Sequence, residues 1–326
     1  MKCLGIESTA HTFGAAIVDE KCKILSNEKN VYTTEKGGMI PRELAEHHYK
    51  FAAEVVQTAL SKANTKIEEI DLVAFSQGPG IGNALRCGAV AARQISLLNN
   101  VPLIGVNHCV AHAEIGRKLC EAKDPVLLYA SGANTQIICF ENSYYRVFGE
   151  TLDIGIGNFL DSFGREVGLG FPAGPALDKM YFEGKNYIEL PYTVKGMDLA
   201  FSGLFTAAKN KIGKVEKEDL VYSALHNAFA MLTEVTERAL AHTEKKEVIL
   251  GGGVGCSKAL QEMVSKMCEE RGARLFVPPN SVMVDNAAMI AWTGILMHKR
   301  GNKTEIKDSA ILPKQRTDDV KVNWRK

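Results

Sequence analysis

The sequence predicts an α/β protein built from two related halves that face a shared cleft. Three observations point that way. Ser8, Ala10 and Thr12 match Ser131, Ala133 and Thr135 in one register, and each triplet follows a short apolar strand, Cys3 to Glu7 or Val126 to Ala130. Each half also has a later strand, a glycine-rich turn and a helix start. These are Leu72 to Ser76 with Gly78-Pro79-Gly80-Ile81-Gly82, and Val248 to Leu250 with Gly251-Gly252-Gly253-Val254-Gly255. Repetition of the whole order, rather than of single residues, indicates a duplicated unit. The expected lobes are residues 1–124, completed by 298–326, and residues 125–297.

The elements follow in order. The strand Cys3 to Glu7 leads through Ser8 to Thr12 into Gly14-Ala15-Ala16-Ile17-Val18, an expected hairpin. Pro41 opens a helix, because its fixed φ and missing N–H suit a first turn, and Leu44, His48, Ala52, Val55, Val56, Ala59 and Leu60 keep the helical period. Val101 to Val106 reads as a strand ahead of a helix holding His108 and His112. Leu220, Ala224, Leu225, Ala228, Leu232, Val235, Ala239 and Leu240 mark a long helix, and Ala259, Leu260, Met263, Val264 and Met267 another after the glycine run. These stripes are core. Asp285 precedes an apolar helix and reads, taken alone, as its N-cap.

Length and composition bound the class. A chain of 326 residues can bury two sizeable cores, and 46% hydrophobic with 24% charged residues suits a globular protein rather than a disordered one. The formal net charge of +1 points neither toward nor away from nucleic acid. From His298 onward there are nine Lys/Arg against four Asp/Glu, a basic tail that reads equally as a phosphate-binding arm or a solvated terminus. The eight cysteines form no Cys-x-x-Cys pair, no segment has a signal-peptide core, and no run reaches the length of a membrane span. A reduced cytoplasm is the expected setting.

The chemistry-bearing residues begin with His108 and His112. Four apart on a helix, both imidazoles share one face and can reach one ion. The spacing is that of a zinc-protease helix, but Cys109 stands where the catalytic Glu would be, so no general base adjoins the ion. An incidental His pair has the same spacing. Asp285 and Tyr129, which ends a strand beside Ser131-Gly132, are further oxygen donors. The glycines at 251 to 253 sit where a strand meets a helix N-terminus, which suits phosphate but also a tight strand–helix crossing. No Walker-type loop is present, and Gly78-x-Gly80-x-Gly82 lacks dinucleotide-fingerprint spacing. Gly174-Pro175-Ala176-Leu177-Asp178 starts a helix whose Asp can lie over a ribose diol or cap a helix; Asp161 lies nearby in sequence. Ser202-Gly203 forms a further small turn with no assignable role.

Together, His108-x-x-x-His112, Tyr129-Ala130-Ser131-Gly132-Ala133-Asn134-Thr135-Gln136, Gly174 to Asp178, Phe201-Ser202-Gly203-Leu204, the Gly251-Gly252-Gly253-Val254 run and Val284-Asp285-Asn286-Ala287-Ala288-Met289 resemble the tRNA N6-adenosine threonylcarbamoyltransferase family. The resemblance runs from about Lys2 to about Gly301, and Tyr129 with Asn134 is similar to its archaeal and eukaryotic branch, the catalytic subunit of the KEOPS complex. It implies an actin- and sugar-kinase-like (ASKHA) fold of two duplicated lobes with the ligand cleft between them. It implies transfer of a threonylcarbamoyl group from threonylcarbamoyl-AMP to N6 of the adenosine 3′ of the anticodon, position 37, in tRNAs reading codons that begin with A, with release of AMP. It also implies one divalent metal ion, iron with zinc or magnesium as alternatives, held by His108, His112, Tyr129 and Asp285. The adenylate, or ATP or another adenine nucleotide in its place, would lie against Tyr129, Ala130, Ser131, Gly132, Ala133, Asp161, Gly174, Asp178 and Ser257. Ser257 is a departure, since the family usually has Asn there. Implied partners are tRNA, a small atypical protein kinase, small accessory and dimerisation proteins, and a separate synthase that supplies the substrate; no membrane is implied.

A metal acting as a Lewis acid would suit a reaction in which a weakly nucleophilic adenine amine displaces AMP. His11, in the first hairpin turn, is the candidate for a phosphate contact or proton relay, and also reads as an ordinary exposed turn residue. Three rivals share parts of this pattern. A metallopeptidase leaves the glycine turns without a role, an ATP-binding small-molecule kinase of the same fold does not need the His pair, and a nucleotide-binding scaffold would show no turnover.

Overall fold

The computed structural model describes residues 1–34 and 39–325. The first sheet is made by β1 (Lys2–Glu7), β2 (Thr12–Asp19), β3 (Ile24–Val31), β4 (Leu72–Gly78) and β5 (Leu103–Asn107), with α1 (Pro41–Lys62) and α2 (Gly82–Asn99) between its strands. The helix α3 (His108–Leu119) follows β5 directly. The second sheet is made by β6 (Val126–Ala130), β7 (Thr135–Glu141), β8 (Tyr144–Glu150), β11 (Glu247–Gly251) and β12 (Arg274–Phe276). Between β8 and β11 come α4 (Ile156–Glu166), α5 (Gly174–Tyr181), the small ribbon β9 (Val194–Lys195) and β10 (Asp198–Leu199), α6 (Ser202–Lys209) and α7 (Lys217–Thr243). The chain then adds α8 (Lys258–Glu270), α9 (Asn280–Met283) and α10 (Ala287–Lys299).

The duplication is explicit in the topology. The spatial orders are β3-β2-β1-β4-β5 and, read in the same sense, β8-β7-β6-β11-β12. In each sheet an antiparallel three-strand meander is followed by two parallel strands. Each first strand is buried on both faces, so it reads as a continuous apolar run rather than an alternating one.

Period-two alternation decides which residue meets which layer. In β1, Leu4 and Ile6 pack with α1 and α2 through Val55, Val56, Ala59, Ala89 and Ala92. Cys3 points to the other face, toward Ala287 to Ile295 of α10. There α10 lies almost on the strand backbone: a Cβ on Gly5 would stand 2.3 Å from the Ala287 carbonyl oxygen and 2.7 Å from the Ala291 nitrogen. The expected lobe boundary at 297/298 therefore falls inside a helix that belongs by packing with the first sheet. The chain returns to that sheet at Ala287, about one helix earlier than the sequence suggested, because small residues let the two backbones meet.

Helix α3 is sandwiched between the halves. Cys109, Val110 and Ala113 pack on Leu127, Tyr129 and Ile249 of the second sheet, while Ala111 and Ile115 pack with α10. The basic tail is neither a free arm nor a solvated end. Gln77 Nε2 donates to the carbonyls of Asp308 and Ala310, Arg93 Nε donates to Ser309 Oγ, and Thr317 Oγ1 donates to Gln136 Oε1. Val322 and Trp324 then join the core beside Leu127 and Tyr145. Trp324 Nε1 donates to Glu114 Oε1 at 2.9 Å, and that fully buried carboxylate also accepts from Tyr145 Oη at 2.7 Å and Arg117 Nη2 at 2.8 Å. Trp324→Ala removes a buried aromatic and one donor to a buried charge. It is expected to cost about 3 kcal/mol, seen as a lower urea midpoint at unchanged slope.

Among the described residues, no helix is long and apolar enough to cross a membrane. His48 of α1 is fully buried, its Nε2 donating to the Ala10 carbonyl at 2.9 Å, which ties α1 to the first hairpin turn. Burial, with the charge of His47 adding to it, pushes the His48 imidazole down to about 4. The unfolded chain takes up this proton near pH ~6.5 and the folded protein only near 4. The stability from His48 is thus intact above ~6.5 and is lost as pH falls through that window, at up to ~1.4 kcal/mol per pH unit. His48→Gln should remove this component, measured as the difference in urea unfolding between variant and parent from pH 7 to 4.5.

Candidate metal and nucleotide site

Asn107 ends β5 and caps α3, its Oδ1 accepting from the backbone N–H groups of Cys109 and Val110 at 3.0 and 3.1 Å. That cap fixes the first turn, from which His108 and His112 project side by side with ring centroids 4.8 Å apart. Asp285 does not cap α10, as its position suggested. Asn286 does, accepting from Met289 N at 3.0 Å, and this leaves the Asp285 carboxylate free to turn toward α3. Asp285 Oδ1 lies 3.4 Å from His108 Nε2 and 3.6 Å from His112 Nε2. From the second sheet, Tyr129 Oη lies 3.1 Å from His108 Nε2. The ligand atoms of His108, His112 and Asp285 all fall within 4.8 Å of one another.

Both ring nitrogens of His112 are buried without a hydrogen-bond partner. An orphaned pair of this kind is costly, and a cation coordinated from three sides would satisfy one member of it. The residues present fit a metal ion. Burial disfavours charge on His108, but the Glu7 and Asp285 carboxylates outweigh it and hold the imidazole well above its ordinary range. Burial also works against ionised Asp285, yet the two imidazoles keep its carboxyl well below the usual range. His112 is pushed down by burial, and the Tyr129 phenol is pushed well up by burial and the charges around it.

The sequence reading missed Glu7. This carboxylate at the end of β1 is fully buried, with Oε2 3.0 Å from His108 Nδ1 and Oε1 accepting from Thr9 N and Thr9 Oγ1 at 2.6 and 2.5 Å. An acidic residue closing a strand buried on both faces was the available signal. Cys109, which stands where a protease has its Glu, is buried and packs against Leu127, Tyr129 and Ile249 of the second sheet.

The glycine turns lie against the same cluster. A Cβ on Gly251 would stand 3.6 Å from Tyr129 Cδ2 and 3.9 Å from His112 Cβ. Gly252 has φ +84° and backs onto the Ser131 turn, as Gly80 backs onto Thr9 in the first half. The Ser131 turn is fixed by Ser131 N and Oγ, both donating to the Asn134 carbonyl at 2.9 Å, and by Gly157 N and Asn158 N of α4, which donate to the Ser131 and Gly132 carbonyls. A Cβ on Gly132 would meet nothing nearer than 3.9 Å, and one on Gly174 or Gly253 nothing within 4 Å, so these faces are open.

Asp161 of α4 accepts from Ala173 N at 2.9 Å, which joins α4 to α5; burial raises its carboxyl, against that N–H and the charge of His11. His11 is half-buried in the first hairpin turn, edge-on to Phe171 at 6.1 Å, rather than fully exposed. Asp178 caps α8 together with Ser257. Its carboxylate accepts from Ser257 Oγ at 2.5 Å, Lys258 N at 3.1 Å and Ala259 N at 3.3 Å. Beside it opens a depression of about 450 Å³ bounded by Pro175, Asp178, Lys179, Phe182, Glu183 and Lys258.

Two duplicated lobes of the actin- and sugar-kinase-like type, with a His-His-Asp cluster beside glycine turns at their junction, define a two-lobed α/β protein of the ASKHA class. Among solved structures, the chain is similar to Thermococcus kodakarensis HypF (TM-score 0.64, 14% identity, 91% of this chain and 48% of that one). It is also similar to an activator of 2-hydroxyisocaproyl-CoA dehydratase from Clostridium difficile with bound ADPNP (TM-score 0.58, 13% identity, 92% and 97%). Both likenesses concern the fold alone. The family model described as tRNA N6-adenosine threonylcarbamoyltransferase matches residues 23–292. A protein of that name from Thermococcus sibiricus is 54% identical over 99% of this chain and 100% of its own length. A probable bifunctional tRNA threonylcarbamoyladenosine biosynthesis protein from Methanosarcina mazei is 55% identical, and the chain spans 59% of it. The chain belongs to the tRNA N6-adenosine threonylcarbamoyltransferase family, and it is a transferase.

Proposed function

We propose that this chain transfers the threonylcarbamoyl group of threonylcarbamoyl-AMP to N6 of adenosine 37, 3′ of the anticodon, in tRNAs reading codons that begin with A, releasing AMP. The N6–carbamoyl bond forms as the bond from the carbamoyl carbon to the adenylate phosphate oxygen breaks, and N6 loses one proton. The observation that carries this reading is the placement of Tyr129. Its Oη is at the His cluster, and its backbone continues directly into the open Ser131 turn. One strand end therefore joins the candidate ion site to the candidate adenylate site.

His108, His112 and Asp285, with Tyr129 beside them, would hold one divalent ion, iron first and zinc or magnesium as alternatives. When bound, it supplies a Lewis acid at the carbamoyl group. The backbone of Tyr129 to Ala133 would cradle the phosphate, where N–H groups stabilise the charge that builds as AMP departs. Asp178, which lines the open depression, would take the nucleoside end together with Gly174, Ser257 and Asp161. His11, half-buried and edge-on to Phe171, would contact phosphate or accept the N6 proton. A chain of net charge +1 would draw on partner proteins for much of the tRNA-binding charge, in keeping with a KEOPS-like assembly containing a small protein kinase and accessory subunits in the cytoplasm. The test is incubation of the chain and its partners with threonylcarbamoyl-AMP and unmodified tRNA, followed by nucleoside mass spectrometry. Modified adenosine is expected; ATP turnover or peptide cleavage without it would overturn the reading.

A further inference from the structure

We propose that Glu7 is a positioning residue of the ion site: its carboxylate fixes His108 with a proton on Nδ1 and the bare Nε2 turned into the cluster. This rests on the ion-binding reading given above.

The hydrogen-bond polarity is forced by the neighbours. Thr9 Oγ1 lies 2.5 Å from Glu7 Oε1, so its single hydrogen is spent there. The same hydroxyl lies 3.2 Å from His108 Nδ1 and can offer that nitrogen only a lone pair. Glu7 Oε2, at 3.0 Å, likewise offers only a lone pair. His108 Nδ1 therefore faces two acceptors and must be the donor. In the neutral ring this leaves Nε2 unprotonated, and Nε2 is the atom that faces Tyr129 Oη at 3.1 Å and Asp285 Oδ1 at 3.4 Å.

Glu7 is itself held against reorientation. It is fully buried, and Thr9 N donates to its Oε1 at 2.6 Å. Both of its oxygens are engaged, Oε1 by Thr9 and Oε2 by His108, which leaves orientation of His108 as its chemistry. A carboxylate behind a ligating imidazole also makes that imidazole the stronger donor.

Glu7→Gln keeps the volume but presents an amide N–H₂ to Nδ1 in one orientation, which favours the tautomer with Nε2 protonated and unable to ligate. The experiment titrates metal-free protein with Zn²⁺ against a chelator of known affinity, with circular dichroism to confirm folding. A 10- to 100-fold weaker zinc affinity is expected for folded Glu7→Gln. Wild-type uptake of zinc with undiminished uptake by folded Glu7→Gln overturns the role of Glu7 alone. A wild type that takes up no divalent ion overturns the ion reading as well. If Glu7→Gln does not fold, ¹⁵N NMR of the zinc-loaded wild type decides. His108 ligating through Nε2 with Nδ1 protonated is expected, and ligation through Nδ1 overturns the proposal.

Discussion

His112→Ala and Asp285→Ala are each expected to lower bound metal to background and to abolish threonylcarbamoyl transfer, while unfolding remains cooperative. His112 contributes two buried nitrogens without a hydrogen-bond partner, and a cation at the cluster would satisfy one of them. Removing one donor from three or four leaves an incomplete coordination sphere. The loss of affinity should exceed the 10- to 100-fold seen when an outer-shell partner is lost. Asp285→Asn separates contact from charge: it keeps an oxygen near both Nε2 atoms but removes the negative charge, and intermediate affinity is expected. The checks are elemental analysis of purified protein and mass spectrometry of the tRNA nucleosides. Variants that carry no metal yet transfer at the parental rate would refute the ion's part in the reaction.

Gly252→Ala is the second large effect. At φ +84° and ψ 159° the backbone occupies a region that is essentially glycine's own, and a Cβ would stand 2.3 Å from the Ala130 carbonyl oxygen and 3.0 Å from Ser131 N. Both obstacles are backbone, so neither can swing aside. Strain and displacement together should cost about 3 kcal/mol or more, and the shifted Ser131 turn should lose adenylate binding as well. Gly253→Ala gives the contrast. Its Cβ meets nothing within 4 Å, so stability should change by less than about 1 kcal/mol. Urea titration and adenine-nucleotide binding separate the two. Equal stability of Gly252→Ala and the parent would show that the two turns are not packed back to back as described.

What the sequence disclosed was whatever depends on short-range pattern. The helix from Pro41, the long helix through Leu220 to Leu240, and the placement of His108 and His112 one turn apart follow from periodicity and capping, and the structure agrees. The duplicated hairpin and glycine turn were readable because both halves solve the same packing problem with the same small residues. What remained hidden depends on partners distant in the chain. Glu7 meets His108 across 101 positions, and Asp178 spends its carboxylate on the start of α8 rather than on its own helix. Asn286 took the cap that Asp285 seemed to own, a competition between neighbours that only the turn geometry resolves. Helix α10 is apolar all round, a sign of complete burial, but nothing local says which of two sheets buries it.

Among the described residues the polypeptide passes between the sheets three times; the first passage begins α3 with its two imidazoles, and the second carries Asp285 just ahead of α10. Tyr129 reaches the same spot from the second sheet. A cation there would act as a rivet through the joint, so its affinity and the angle between the lobes must be thermodynamically linked. Whatever spreads the lobes should loosen the rivet, and a chelator should widen the distribution of molecular shapes seen by small-angle scattering.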